Sequence, residues 1–332
     1  MVIADLKRRY GEHIIRRGAD LATLSRQDAT PPLSTGSLGI DVITGGLPRG
    51  HIAEYAGQEG GGVETLAATA IAACQRIGGL VLLIDADGAV DPDALLAVSV
   101  DLSRLIIAAP TTAREGWAVL TRLSRCGALD LLVLASFPGL LSLPYEGWRD
   151  DHGVSVGYLS RRLGRVAWAL RGRPTALLLL NRVVEGGCAA RGRSIGEAVV
   201  APMVALRGAL APLRVEYTPY GDIAALHAVA SVLKHHGAPR GPRLPLALTS
   251  SGLCREAELI ALGQMVGCLD ETALGLVLDD VIVGRSSARA AATLRREPDL
   301  AALLERRIRE RWGDGRMAAS TTTASTPIGA AR

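Results

Sequence analysis

Ile52-Ala53-Glu54-Tyr55-Ala56-Gly57-Gln58-Glu59-Gly60-Gly61-Gly62-Val63-Glu64-Thr65 decides the reading of this chain. Residues 52–56 form a short apolar strand and residues 57–65 a glycine-rich turn. Residues 66–76 read as a helix and residues 80–85 as the next strand. Strand, glycine turn and helix N-terminus together make a phosphate cradle. Backbone N–H groups converge there, and the helix dipole favours an anion. The pattern G-x-x-x-x-G-K-[ST] fits at Gly57 and Gly62 and then breaks. Val63 stands where the lysine belongs, and Glu64 where the magnesium-binding hydroxyl belongs. The surviving glycines also suit a tight strand-to-helix turn that holds no ligand, and that reading is preferred to a residual phosphate site.

Working outward, the length of 332 residues suits one large domain and a smaller one. Apolar residues make up 48% and charged residues 21%, enough to bury a core. The apolar runs at 80–84, 131–135 and 176–180 are about five residues long, against roughly 20 for a membrane helix. They suit strands of a parallel sheet buried on both faces. No membrane partner is expected, and the N-terminus has no signal-peptide core. Cys74, Cys126, Cys188, Cys254 and Cys268 never form C-x-x-C. Reduced thiols in a cytoplasm and no metal site are the expectation. The net charge is +4, and Lys7 and Lys234 are the only lysines, so the positive charge is almost all arginine.

Residues 4–17 carry apolar side chains at helical spacing among Lys7, Arg8, Arg9, Arg16 and Arg17, which predicts a basic helix. A linker follows, to Pro31-Pro32. Next come Leu33-Ser34-Thr35-Gly36-Ser37-Leu38-Gly39-Ile40-Asp41 and Gly45-Gly46-Leu47-Pro48-Arg49-Gly50. With these turns the chain resembles the RecA family of recombinases. The resemblance continues through Leu83-Ile84-Asp85-Ala86-Asp87, Asp130-Leu131-Leu132-Val133-Leu134-Ala135-Ser136 and Leu178-Leu179-Leu180-Asn181-Arg182. It returns in Ser251-Gly252-Leu253-Cys254-Arg255-Glu256-Ala257-Glu258-Leu259-Ile260 and Glu297-Pro298-Asp299-Leu300, which look like the small C-terminal domain of bacterial RecA proteins. It implies a RecA-like P-loop NTPase core, a mostly parallel α/β sheet flanked by helices. The expected organisation is an N-terminal helix and linker (1–33), the core (34–240), an α+β C-terminal domain (241–313) and a disordered tail (314–332). Within the C-terminal domain, Ser250 or Ser251 is expected to cap a helix through about Val266. A hairpin is expected around Asp279-Asp280, and Asp299 is expected to cap the last helix.

The resemblance also assigns the nucleotide site. The family uses ATP and Mg²⁺. Asp87 matches the catalytic glutamate but is one methylene shorter. Ala135 stands in place of the magnesium-binding aspartate, with Ser136 kept beside it. Ala94 replaces an adenine-stacking tyrosine. Thr65, Asp91 and Lys234 match in type, the last resembling a lysine that reaches ATP across a subunit interface; His236 sits near a second such lysine. Losing one buried charge-assisted contact costs on the order of 2–5 kcal/mol. Several losses together, with a carboxylate added at Glu64, predict no productive ATP hydrolysis, since such groups act as a unit.

Arg161, Arg162, Arg165, Arg182, Arg191 and Arg193 fall in and around the region where the family binds DNA. Arginine on a glycine-rich backbone suits phosphate contact with counterion release. The competing reading makes Arg161, Arg162 and Arg165 the solvated face of a helix beside Tyr158, Leu159 and Val166. His152 reads as structural. The expected function is homologous recombination, DNA repair and the SOS response to DNA damage, with single-stranded DNA and RecA-type filaments as partners. A protein-interaction scaffold of the mutasome-accessory type is the alternative, and an active DNA-dependent ATPase the second alternative.

Overall fold

The computed structural model describes residues 2–11, 30–144, 155–184, 193–218, 223–235 and 242–313. Several expectations fall outside these: most of the glycine-rich segment with Arg191, His152, His236, Cys188 and the tail from 314. The chain divides into two units, Met1–Pro31 and Pro32–Arg332. In the first, helix α1 (Val2–Tyr10) buries none of its residues, and Val2, Ile3, Leu6 and Tyr10 are exposed. It starts two residues earlier than its pattern suggested.

The second unit is built on one large mixed sheet. Its strands are β1 (Ile52–Gly57), β2 (Val81–Ile84), β3 (Leu105–Ala108), β4 (Leu131–Leu134), β5 (Ala176–Val184), β6 (Arg193–Ser194), β7 (Leu206–Tyr217), β8 (Ile223–Lys234), β9 (Arg243–Thr249) and β10 (Gly252–Leu253). The order is β10-β9-β8-β7-β1-β5-β4-β2-β3, with β6 against β5. From β7 to β3 the neighbours are parallel, and from β7 to β10 they are antiparallel. The large sheet thus runs on to Leu253, past the boundary expected at 240.

The leucine runs explain the layering. Successive side chains of a strand point to opposite faces. Leu131, Val133, Leu178 and Leu180 face one core layer, with Tyr55 and Leu83. Leu132, Leu134, Leu177 and Leu179 face the other. The first layer is covered by α2 (Leu38–Thr44), α3 (Val63–Arg76) and the C-terminal elements. The second is covered by α5 (Ala113–Cys126), α6 (Phe137–Ser142), α7 (Val156–Leu170) and α8 (Glu197–Met203). A shorter helix, α4 (Pro92–Ala97), follows β2.

The C-terminal part comprises α9 (Arg255–Met265), a small antiparallel sheet of β11 (Asp270–Thr272), β12 (Gly275–Leu278) and β13 (Val281–Gly284), then α10 (Ser287–Arg296) and α11 (Pro298–Gly313). Asp279 and Asp280 both adopt positive φ, at 45° and 69°, and turn β12 into β13 as the hairpin reading required. Two capping expectations fail. Residues 249–252 are used up in the β9–β10 turn, so Cys254, not Ser250 or Ser251, precedes α9. Helix α11 starts at Pro298, which puts Asp299 inside its first turn; proline is favourable at that first position because its missing N–H has no partner to lose.

Glu258 fastens α9 to the front of the core. It is 2% exposed. Its carboxylate accepts from Ser37 Oγ (2.5 Å), Gly39 N (3.0 Å) and Leu38 N (3.1 Å) at the start of α2. The threonine-glycine-serine-leucine turn and the C-terminal motif, separate in sequence, form one joint.

Candidate functional site

The glycine turn joins β1 to α3. The Gly61 N–H closes on the Gln58 carbonyl at 2.9 Å. Gly60 (φ 70°) and Gly62 (φ 85°) take the left-handed conformation, which only glycine adopts cheaply. Helix α3 starts at Val63, three residues before the expected Leu66, because Gly62 serves as the N-cap through its backbone alone. Val63 turns inward and is buried at 3% exposure. A Cβ on Gly57 would strike the Val63 side chain, and one on Gly62 would strike Leu248. An apolar group has taken the space under the loop.

Above the loop lies a cavity of about 650 Å³, at the C-terminal ends of β1, β2, β4 and β5. Its floor is apolar, with Val63, Ala67, Ile71, Leu83, Val133 and Leu180. Its charged lining is Glu59, Glu64, Asp87, Asp91, Asp93 and one cation, Arg182. That guanidinium stands 3.4 Å from the Glu59 carboxylate. Ala94, Ala135 and Ser136 also line the space. Among the described residues no group of three or more His, Cys, Asp or Glu is placed to hold a metal ion.

Comparison with known proteins identifies the scaffold. Residues 1–185 match the family model of the RecA N-terminal domain. The chain belongs to the RecA family. It is 30% identical over 323 residues to Protein RecA of Acidiphilium cryptum (strain JF-5), covering 92% of this chain and 91% of that one. It is 28% identical over 344 residues to Protein RecA of Saccharopolyspora erythraea, covering 99% and 96%. Among solved structures, the crystal structure of the RadB recombinase aligns with a TM-score of 0.53 at 22% identity, over 67% of this chain and 98% of that one. At that identity it speaks for the fold alone, a RecA-like α/β core.

Several residues matched to the RecA family have local structural work. The Ser136 hydroxyl accepts from Gly139 N at 2.9 Å and caps α6. Asp87 packs beside it, close to Gly139. Asp91 caps α4 by accepting from Asp93 N. Thr65 sits in the first turn of α3, where its carbonyl accepts from Thr69. Lys234 is not among the cavity-lining residues; its ammonium donates to the Ala201 carbonyl at 2.7 Å, near the end of α8. A lysine at a helix C-terminus is favourable for its own reasons.

A buried polar cluster beneath the loop was not read from the sequence. Glu54, the one acid in β1, is fully buried. It accepts from Arg207 Nε at 2.7 Å and from Asn181 Nδ2 at 2.8 Å. Arg207 also donates to Glu197 and to Ser194 Oγ. Burial opposes its charge, but Glu197 and Glu54 outweigh that and hold its pKa above the ordinary guanidinium value. A lone acid in an otherwise apolar strand was the available signal, since a buried charge requires a partner.

The arginines of the DNA reading separate. Arg161 and Arg165 are exposed on α7, and Arg162 lies over the Tyr158 ring, 5.0 Å from its centroid. Arg182 instead lines the cavity beside the glycine turn. Arg193 pairs through its backbone with Val184 in β6.

Proposed function

We propose that this RecA-family protein acts in homologous recombination and DNA repair by binding single-stranded DNA, RecA-type filaments or both, without productive ATP hydrolysis. The observation that carries the reading is the charge of the cavity. A nucleoside triphosphate with Mg²⁺ needs cations around its outer phosphates, a hydroxyl and a carboxylate on the metal, and a positioned water. The lining offers five carboxylates against one guanidinium, already beside Glu59. Val63 is packed inward and Ala135 supplies no metal ligand. These residues do not fit Mg-ATP, and no catalytic step is assigned to Asp87. The exposed Arg161 and Arg165 support phosphate contact.

A cytoplasmic location belongs with this reading. Cys74, Cys126, Cys254 and Cys268 are free thiols, and no helix among the described residues is long and apolar enough to cross a membrane. The scaffold alternative is favoured by one observation, the uncovered apolar side chains of α1. Titration calorimetry with Mg-ATP tests the nucleotide claim. No measurable heat of binding is expected, and a micromolar dissociation constant overturns it.

A further inference from the structure

Helix α7 presents sharply different faces. Leu159, Leu163, Val166 and Leu170 are buried in the core. Helical spacings of three and four place Arg161, Arg165 and Trp168 on one stripe of the opposite side. The two arginines are exposed, and the indole is 65% exposed. Trp117, Tyr55 and Phe137 are fully buried, whereas Trp168, like Tyr10 and Tyr217, faces solvent. The Arg125 guanidinium, from the last turn of α5, lies over the Trp168 ring at 5.7 Å from its centroid. Helix α7 has no acidic residue. Among the described residues no carboxylate pairs with Arg125, Arg161 or Arg165.

We propose that Trp168, with Arg125 stacked on it, is a base-stacking platform for single-stranded nucleic acid, flanked by the phosphate-contacting guanidiniums of Arg161 and Arg165. The inference rests on the DNA-binding reading above and adds the residue that tells a single strand from a duplex. The charge pattern selects this partner. Tryptophan and arginine also anchor protein–protein interfaces, but here three guanidiniums gather around one indole with no carboxylate paired to them among the described residues, a single-sign field that suits a phosphate chain. Single strands offer open base faces and a phosphate chain together, and stacking on an aromatic side chain accepts any base. In a duplex the base faces are already stacked, so only the arginines have something to contact.

The test uses the full chain, a labelled poly-dT oligonucleotide and a duplex of equal length. The variants are Trp168→Leu, Trp168→Phe and the pair Arg161→Ala/Arg165→Ala. Equal thermal midpoints establish that the variants are folded, as expected for exposed positions. Trp168→Leu is expected to lose about tenfold in single-strand affinity while duplex affinity and salt dependence stay unchanged. Trp168→Phe is expected to recover most of the affinity and to abolish the quenching of tryptophan fluorescence by poly-dT. The arginine pair is expected to weaken both ligands and to lower the single-strand salt slope by about 1.4. If the arginine pair weakens binding and Trp168→Leu does not, the platform is refuted and the DNA reading stands. If Trp168→Leu keeps its DNA affinity and loses a protein partner, the face is a protein interface. If the wild-type chain binds no single strand at low salt, the DNA reading fails first and the platform with it.

Discussion

Two helix N-termini in this molecule meet carboxylates in opposite ways. At α2 the donors of Ser37, Leu38 and Gly39 converge on Glu258, a buried group brought in from the C-terminal part of the chain. At α3 the cap is Gly62 with no side-chain acceptor, and Glu64 in the first turn is exposed. The first terminus is occupied by the protein itself, with an acid where the dipole favours one. The second faces a cavity whose charged lining is mostly acidic. One terminus closes a joint of the RecA-like body, and the other opens on a cavity lined by five carboxylates and one guanidinium.

The largest expected effects come from the buried carboxylates. Arg207→Ala strands Glu54 as a buried unpaired carboxylate, and urea unfolding is expected to show a loss of about 3–5 kcal/mol. Glu258→Ala leaves three donors without an acceptor and is expected to cost about 2–4 kcal/mol in the same assay. If either change is nearly neutral, the claim that these clusters fasten the fold is wrong.

On the nucleotide side, Val63→Lys introduces an ammonium where a side chain is 3% exposed. A loss of about 1–3 kcal/mol is expected, with no gain of Mg-ATP binding by calorimetry, because Glu64 and Ala135 remain. Micromolar ATP binding by this single variant would show that the lysine alone was missing.

Acidity tests the α2 joint more finely. Burial lifts the Glu258 pKa above its ordinary 4.5, against the hydrogen bonds from Ser37, Gly39 and Leu38. Burial likewise lifts Asp41, against its bonds to Ser34 and Thr35. A carboxyl group with a raised folded pKa keeps its full stabilising share below the unfolded value. That share is lost as pH rises through the folded value. Unfolding midpoints of the wild type, compared with Glu258→Gln, are therefore expected to fall as pH climbs above about 4.5; a constant difference would contradict this. The smallest effect is Glu64→Ala, expected within about 0.5 kcal/mol at its exposed site.

What the sequence revealed and what it hid divide along the same physical line. Strands buried on both faces must be apolar at every position, so the leucine runs of β4 and β5 were legible. The glycine turn was legible because left-handed backbone demands glycine, and the β12–β13 hairpin because aspartate tolerates that region. Hidden were contacts between groups distant in the chain. Ser37 and Glu258 are separated by 221 positions, and Glu54 and Arg207 by 153. The lone acid in β1 signals that a partner exists, and no local pattern names it. The starts of α3, α9 and α11 were misplaced where a glycine backbone, a strand turn or a proline set the boundary in place of a capping side chain. Trp168 was missed because a tryptophan on a helix reads as core, and only the packing of α7 shows it facing water.

The most direct measurement is fluorescence anisotropy of labelled single-stranded DNA across a salt series, with and without Mg-ATP. Binding that weakens with salt and is identical in both conditions is the expected result for a RecA-family chain that uses its arginines and not its nucleotide cavity. Binding that appears only when Mg-ATP is added would contradict the account and restore an active, nucleotide-switched recombinase.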